Sequence, residues 1–252
     1  MIARRSPEEL ERLRRSGLAV HEVLRRVAEA VRPGMSTWDL EVIAEMAIRE
    51  FGATPAFRGY RGYPCVLCAS VNDQVVHGIP TRKRILGAGD VVSLDCGVVL
   101  DGYYGDAATT TVAGGEEALS PSLRRLLAAT RESLAAAIAM ARPGNYLGDI
   151  SHAVQRHVEE SGFSVVREFV GHGIGTHLHE EPQIPNFGAP GSGPKLREGM
   201  VLAIEPMVNQ GSAEVRMLAD GWTAVTADGG FSAHFEHTVA VTKDGPWVLT
   251  QP

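Results

Sequence analysis

Four carboxylates and one histidine stand at places in this sequence where an isolated charged side chain would be costly. Asp95 and Glu205 each end an apolar, strand-like segment, Glu236 interrupts a third such segment, and Asp106 and His172 stand beside glycines. A carboxylate buried in such surroundings is costly unless it is paired or bound to a cation. Four carboxylates and one imidazole suit two divalent first-row ions better than metals that prefer thiolates. Because two such ions lower the pKa of a bound water, the set predicts a two-metal hydrolase.

A repeat along the chain gives a reason for two of these ligands to converge. Leu13–Arg15 recurs as Leu123–Arg125, and an Arg-Pro-Gly run recurs in the same way, at a constant offset of 110 residues. Asp95 and Glu205 are related by the same offset. Two halves of the same construction would place these carboxylates at equivalent strand ends facing a shared axis. A cleft between related halves is a natural place for a site.

Each half of the repeat has the same order of predicted elements. Ser6–Glu9 has the sequence of a capping box with a proline in the first turn, and Ser120 opens the second half in the same manner. A helix pair is followed in both halves by strand-like segments, which predicts an α+β fold with helices covering one face of a mostly antiparallel sheet. We expect a single catalytic domain over 1–252, with internal halves at about 6–115 and 116–252.

The composition is that of a soluble globular protein with a sizeable core, at 44% hydrophobic and 21% charged residues. The net charge of −6 argues against sequence-independent nucleic-acid binding, which needs a strong basic surplus. No apolar run approaches the roughly 18 residues of a membrane span, and the first residues lack the apolar stretch of a signal peptide. We therefore expect a cytoplasmic protein.

The three cysteines, Cys65, Cys68 and Cys96, are an odd number in a chain of 252 residues, so they do not predict a disulfide framework. Cys65 and Cys68 have C-x-x-C spacing, yet a zinc site would need a second pair and a redox pair would need to open a helix after a strand. We interpret the cysteines as buried or pocket-lining thiols. The roles of Cys65 and Cys96 stay open.

Taken together, the motifs around the chemical residues resemble those of the type I methionine aminopeptidases. The matching stretches follow that family's order: Gly62–Pro64, Asn72, Val76–Pro80, Leu94–Gly97, Asp101–Asp106, Gly171–Gly175, His179–Pro182, Ala203–Pro206 and Phe235–Thr238. The resemblance covers essentially the whole chain. It implies an M24 metallopeptidase with the pita-bread fold, whose two halves are related by a pseudo-twofold and whose sheet is curved. It also implies removal of the N-terminal methionine from nascent polypeptides, preferably when the second residue is small.

The resemblance assigns metal roles to the same five residues. It implies that Asp106 and Glu236 bridge two divalent ions, that Asp95 serves one ion, and that His172 and Glu205 serve the other. This ligand set accepts Co, Mn, Fe or Zn, and the sequence does not choose between them.

The resemblance also implies how the substrate is held. Glu205 would handle the proton of the attacking water, while His77 and His179 would contact the scissile peptide and stabilise the tetrahedral intermediate. The methionine pocket would be lined by Tyr60, Tyr63, Cys68, Leu178 and Trp222, with Phe57 as a weaker candidate. Leu178 stands where many relatives carry an aromatic residue.

The remaining predictions concern other partners of the chain. Asn72 and Ser232 match positions that bind a monovalent cation in some relatives. The substrates would be peptides with N-terminal methionine; no specific nucleic acid and no membrane are expected, and the chain is predicted to be a monomer. Arg4 with Arg5, and Arg82–Arg84, are interpreted as solvated surface, with a weak ribosome contact as a hypothesis.

The other histidines receive minor roles or none. His177 and His237 are interpreted as groups that orient neighbouring ligands, and no role is assigned to His21, His152, His157 and His234.

Three alternatives share the fold. X-Pro aminopeptidases and prolidases usually carry a large N-terminal domain, whereas this chain begins with the first helix of the repeat. A type II methionine aminopeptidase would carry a helical insertion between His172 and Glu205, and the segment here is short. A non-catalytic binding protein that retains the fold would have lost several metal ligands, and all five are present.

Overall fold

Two pairs of helices occupy the positions that the repeat predicts. The computed structural model describes residues 2–252. The Ser6 hydroxyl accepts a hydrogen bond from the Glu9 backbone N–H and the Glu9 carboxylate accepts one from the Ser6 N–H, so the predicted capping box starts the first helix. Ser120 caps the third helix through the N–H of Leu123. The helices are α1 (Pro7–Ala30), α2 (Thr37–Glu50), α3 (Pro121–Met140) and α4 (Leu147–Glu160).

Fifteen strands are described, and every recorded pairing between them is antiparallel. Nine form one large sheet in the order β1-β4-β5-β14-β9-β7-β8, with β2 also paired to β4 and β15 to β14. Two three-stranded sheets, β13-β10-β6 and β11-β12-β3, complete the architecture. The strands are β1 (Thr54–Pro55), β2 (Leu67–Val71), β3 (Gln74–Val76), β4 (Val91–Leu100), β5 (Tyr103–Val112), β6 (Ser164–Val165), β7 (Gly171–Gly173), β8 (Glu180–Ile184), β9 (Val201–Ile204), β10 (Met207–Asn209), β11 (Val215–Met217), β12 (Ala224–Thr226), β13 (Ser232–His234), β14 (Glu236–Thr242) and β15 (Gly245–Val248).

The helices cover one face of the large sheet, as predicted. Val92, Leu94 and Cys96 alternate along β4 and pack with apolar residues of α1 and α2. Leu202 and Ile204 of β9 pack in the same way with α3 and α4. Since successive side chains of a strand point to opposite faces, the residues between them face away from the helices.

The two halves meet at strand β14, which pairs with β5 of the first half and β9 of the second. The division into two halves within one domain stays a prediction. Among the described residues, no helix combines the length and the hydropathy that crossing a membrane would need.

Candidate active site

The register of β4, β5 and β14 puts three of the five predicted metal ligands on the helix-free face of the sheet. Asp95 of β4 lies opposite Ala108 of β5, and Ala108 lies opposite Glu236 of β14. Directly opposed residues of an antiparallel pair point to the same face. Asp106 is two residues before Ala108, so it shares that face. Asp95, Asp106 and Glu236 therefore converge.

The second half brings the other two ligands to the same face. His172 of β7 lies opposite Ala203 of β9, and Ala203 lies opposite Thr238 of β14. Thr238 is two residues from Glu236, and Glu205 is two residues from Ala203. By strand alternation, His172 and Glu205 face the same side as Glu236.

One cavity of about 160 Å³ collects these side chains and the predicted substrate residues. Its lining contains all five predicted metal ligands, both predicted catalytic histidines and the whole predicted methionine pocket: Asp95, Asp106, His172, Glu205, Glu236, His77, His179, Tyr60, Tyr63, Cys68, Leu178 and Trp222. Phe57 and Arg61 complete the lining. The predicted residues thus lie together, whatever role each one has.

The side chains at the bottom of the cavity are spaced for metal binding. One ligand atom from each of Asp106, His172 and Glu236 lies within 4.8 Å of the others. His172 Nε2 is 3.7 Å from Asp106 Oδ2 and 3.6 Å from Glu205 Oε1. His172 Nδ1 lies 2.9 Å from the Gly173 carbonyl oxygen, to which it donates when it carries the proton, and this leaves Nε2 free to bind an ion.

Several oxygens of this cluster lack any partner. Asp95 Oδ1, Asp106 Oδ1 and Glu236 Oε1 are buried and have no hydrogen-bond partner among the described residues. Unpaired buried carboxylate oxygens are costly, and a bound cation removes that cost. The donor set therefore fits divalent metal ions.

The electrostatics of the cluster agree with this fit. Burial raises the pKa of Asp95 to about 7. Burial, and then repulsion from neighbouring carboxylates, raises the pKa values of Asp106, Glu205 and Glu236 well above their usual range. Burial lowers the pKa of His172 to about 3, so its imidazole is neutral near pH 7, the form that binds metals.

Two further histidines face the same cavity. His179 Nδ1 lies 2.8 Å from the Tyr60 hydroxyl, and its ring centroid lies 4.2 Å from that of His172. The ring of His77 packs edge-on against Phe169 at 5.4 Å and Trp222 at 6.2 Å. Burial lowers the pKa of His77 to about 4 and also lowers that of His179, so both rings are neutral at pH 7.

The upper wall of the cavity is apolar and aromatic. The Tyr63 hydroxyl hydrogen-bonds to the Leu67 carbonyl oxygen at 2.9 Å, and the Tyr63 ring packs edge-on against Trp222 at 5.1 Å. Burial raises the pKa of the Cys68 thiol, which keeps it uncharged. Leu178 is 3% exposed.

The interpretation of three side chains from the sequence was wrong or incomplete. His177 does not orient a ligand: its side chain is 80% exposed and lies beside Glu180. Arg5 is not solvated surface, since its side chain is 11% exposed and paired with Glu180. His234, to which no role was given, is buried with Nε2 3.8 Å from Glu205 Oε2. His234 ends β13, which lies in a different sheet from β14, so strand alternation from Glu236 could not have placed it.

The sequence also led to predictions for His237 and for the three cysteines. His237 faces away from the cavity and contacts Thr250 and Gln251 through its two ring nitrogens. The three cysteines are buried free thiols, as predicted.

The comparisons with known proteins agree with this geometry. The model of metallopeptidase family M24 matches residues 11–243. The methionine aminopeptidase of Clostridium perfringens is 51% identical over 250 residues, which is 99% of this chain and 99% of that protein. The crystal structure of the methionine aminopeptidase of Thermotoga maritima matches with a TM-score of 0.97 at 47% identity, over 100% of both chains. The prolidase of Pyrococcus furiosus is 21% identical and shares the fold, with a TM-score of 0.80 over 99% of this chain and 65% of that one. These matches confirm the predicted pita-bread fold, and the chain belongs to the methionine aminopeptidases of metallopeptidase family M24.

Proposed function

We propose that this chain removes the N-terminal methionine from nascent polypeptides, preferably those with a small second residue. Its family confirms the predicted class, a metal-dependent aminopeptidase. One observation carries the proposal: acidic and histidine side chains from both halves of the sheet line the same cavity as an apolar, aromatic pocket. Such a cavity offers a hydrolytic end and an end that accepts a thioether side chain.

Two divalent ions, Co, Mn, Fe or Zn, are the proposed cofactors. Asp106 and Glu236 would contact both ions, Asp95 one of them, and His172 with Glu205 the other. When bound, the ions polarise the scissile carbonyl and lower the pKa of the attacking water. The three unpartnered oxygens of Asp95, Asp106 and Glu236 support this assignment.

Proton transfer and stabilisation of the developing negative charge are assigned to residues of the chain. Glu205 would take the proton of the attacking water; its carboxylate lines the cavity, with Oε1 3.6 Å from His172 Nε2. His77 and His179 are neutral, so each can donate one N–H to the oxygen on which charge develops. When the Tyr60 hydroxyl donates to His179 Nδ1, the ring proton lies on Nε2.

The methionine side chain is proposed to enter between Tyr63, Cys68 and Trp222. Aromatic rings and an uncharged thiol make favourable contacts with a thioether. Tyr60 and Leu178 also line the cavity.

We also propose that a monovalent cation binds near Asn72 and Ser232. The Asn72 side-chain amide donates to Asp90 Oδ1 and accepts a hydrogen bond from the Val91 N–H. The Ser232 hydroxyl donates to Asn209 Oδ1 at 2.9 Å. The Ser232 hydroxyl oxygen keeps its lone pairs when it donates, and Asn72 Oδ1 keeps one when it accepts from Val91, so both oxygens could still bind a cation.

The proposed cellular context follows from charge and composition. We place the chain in the cytoplasm as a monomer that acts on peptides emerging from the ribosome. Arg82 lies over the Trp38 ring at 5.4 Å, which leaves a basic and aromatic surface for a weak ribosome contact.

Peptide hydrolysis tests the proposed specificity. We expect release of methionine from Met-Ala-Ser, little from Met-Lys-Ser, and none after a chelator removes the metal, with recovery when divalent metal is restored. Failure to cleave Met-Ala-Ser with any divalent metal would overturn the proposal. Preferential cleavage of an Ala-Pro peptide would favour the X-Pro aminopeptidase alternative instead.

A further inference from the structure

Arg5 is buried close to the active site although it lies in the first residues of the chain. Its backbone N–H donates to the Gly199 carbonyl oxygen at 2.7 Å, which fixes the segment before α1 against the second half. Its guanidinium lies against Gly175, where a Cβ atom on residue 175 would overlap the Arg5 side chain. The Arg5 side chain is only 11% exposed. A cation in this position needs a partner.

Glu180 is that partner, and it has a second set of contacts. Its Oε1 accepts hydrogen bonds from Arg5 Nη2 at 2.6 Å, from the Thr176 N–H at 2.9 Å and from the His177 N–H at 3.1 Å. Its side chain is 14% exposed. One carboxylate therefore joins the N-terminal segment to the turn that begins at Gly175.

This turn carries two side chains of the active site. Leu178 and His179 both line the cavity, and they lie between the two backbone N–H groups bound by Glu180 and Glu180 itself. At its start, the Gly175 carbonyl oxygen accepts a hydrogen bond from the Tyr104 N–H of β5 at 2.8 Å. The turn is thus fixed at one end by β5 and at the other by the Arg5–Glu180 pair.

We infer that Arg5 and Glu180 are positioning residues for His179. Arg5 holds the Glu180 carboxylate in the orientation that receives the N–H groups of Thr176 and His177, and the closed turn sets the place of the His179 ring over the scissile peptide. This inference rests on the role proposed for His179 in the aminopeptidase reaction. Neither residue lines the cavity that contains the proposed metal ligands.

The inference predicts which kinetic constant changes. Small displacements of a group that acts on the reacting atoms cost up to about 100-fold in rate. In the metal-loaded enzyme, Arg5→Gln should lower kcat for Met-Ala-Ser by about 10- to 100-fold. KM should change by about threefold at most, because Leu178 is the one proposed pocket residue on this turn, whereas Tyr63, Cys68 and Trp222 lie on other elements. Arg5→Lys, which keeps the charge but not the planar fork, should restore part of kcat.

Arg4→Gln is the matched control for these variants. Arg4 is the neighbouring arginine, is exposed, and donates to the Glu198 carbonyl oxygen rather than to Glu180. Its substitution should leave both kinetic constants near those of the parent enzyme.

Amide hydrogen exchange of Thr176 and His177 in the metal-loaded enzyme tests the inference directly. We expect faster exchange at these two amides in Arg5→Gln, together with the fall in kcat, and unchanged exchange in Arg4→Gln. Unchanged exchange in folded Arg5→Gln, or faster exchange with normal kcat, would overturn the inference. If Arg5→Gln does not fold, Glu180→Gln takes its place under the same criteria, since it removes the charge and keeps the shape.

Failure of the positioning role of Arg5 can be distinguished from failure of the proposed role of His179. His179→Ala tests the role of His179 alone, because it leaves Arg5 and Glu180 in place. Normal turnover of His179→Ala would remove the proposed role of His179. Slow turnover of His179→Ala together with normal exchange and turnover of Arg5→Gln would remove only the positioning role of Arg5.

Discussion

Asp95 and Glu236 lie opposite the same residue, Ala108, on the two sides of strand β5. Asp95 belongs to the first half of the chain, whereas Glu236 belongs to β14, which arrives from the second half. The carboxylate cluster therefore exists only when β14 has paired with β5. A site formed in this way binds metal in the folded state alone, so metal binding and folding are coupled.

Stability of the metal-free protein should fall as the pH rises through about 7, the folded-state pKa of Asp95. Burial raises the pKa of Asp95 from 3.8 to about 7, and burial with repulsion from neighbouring carboxylates raises those of Asp106, Glu205 and Glu236 well above their usual range. The folded state then binds more protons than the unfolded state. The stability that comes from this extra proton binding is lost as the pH rises through the folded-state pKa. The buried histidines, whose pKa values are lowered, act in the opposite sense only below their unfolded pKa of 6.5.

Urea unfolding of the chelator-treated protein at several pH values measures this effect. Added divalent metal should raise the unfolding midpoint and release protons to the buffer. Greater stability of the metal-free protein at the higher pH would contradict the electrostatic account of the cluster.

His172→Ala and Glu236→Ala should each reduce hydrolysis of Met-Ala-Ser to background. Each substitution removes a ligand from the only group of three described ligand atoms that lie within 4.8 Å of one another. His177→Ala is the control, because His177 is 80% exposed. Steady-state rates and bound metal per chain are the measurements, and near-normal turnover of both ligand variants would refute the metal assignment.

His179→Ala should lower kcat by about 100- to 1,000-fold, the usual cost of losing one donor to a developing oxyanion. Tyr60→Phe should have a smaller effect, since it removes only the hydroxyl that contacts His179 Nδ1. Metal content should stay unchanged in both variants. An effect of Tyr60→Phe equal to that of His179→Ala would mean that the hydroxyl itself acts on the substrate.

Glu41→Ala should lower the free energy of unfolding by about 2–4 kcal/mol. Glu41 is 1% exposed and accepts hydrogen bonds from the N–H groups of Val66 and Leu67, at the start of the strand that carries Cys68. Its loss leaves both N–H groups buried without an acceptor. Glu41 also pairs with Arg58 at 3.0 Å, and Glu45 pairs with Arg58 at a more exposed site. Glu45→Ala is therefore the matched control and should cost less than about 1 kcal/mol.

Chemical denaturation of the two variants measures the difference. Equal destabilisation by Glu41→Ala and Glu45→Ala would show that the pairing with Arg58, rather than the buried backbone groups, is what matters at Glu41.

The helix starts and the convergence of two metal ligands could be predicted from the sequence, because they depend on local sequence pattern and on the repeat. Capping residues such as Ser6 and Ser120 mark helix starts because their hydroxyls satisfy the first N–H groups, and the structure has both caps. The offset between Asp95 and Glu205 predicted their convergence because equivalent strands of two related halves pack on one sheet.

Contacts between distant segments could not be predicted from such patterns. Arg5 meets Glu180 only because the N-terminal segment crosses the second half, and no periodicity encodes that crossing. His177 was misplaced because the turn from Gly175 to His179 is irregular, so strand alternation does not apply there.

Titration of the metal-free protein with a divalent ion tests the central claim most directly. Bound metal per chain and methionine release from Met-Ala-Ser are measured in the same samples. The account predicts no activity without metal, at most two bound ions per chain at full activity, and loss of tight binding in Glu236→Ala. Full activity of the metal-free chain, or unchanged metal binding in that variant, would contradict it.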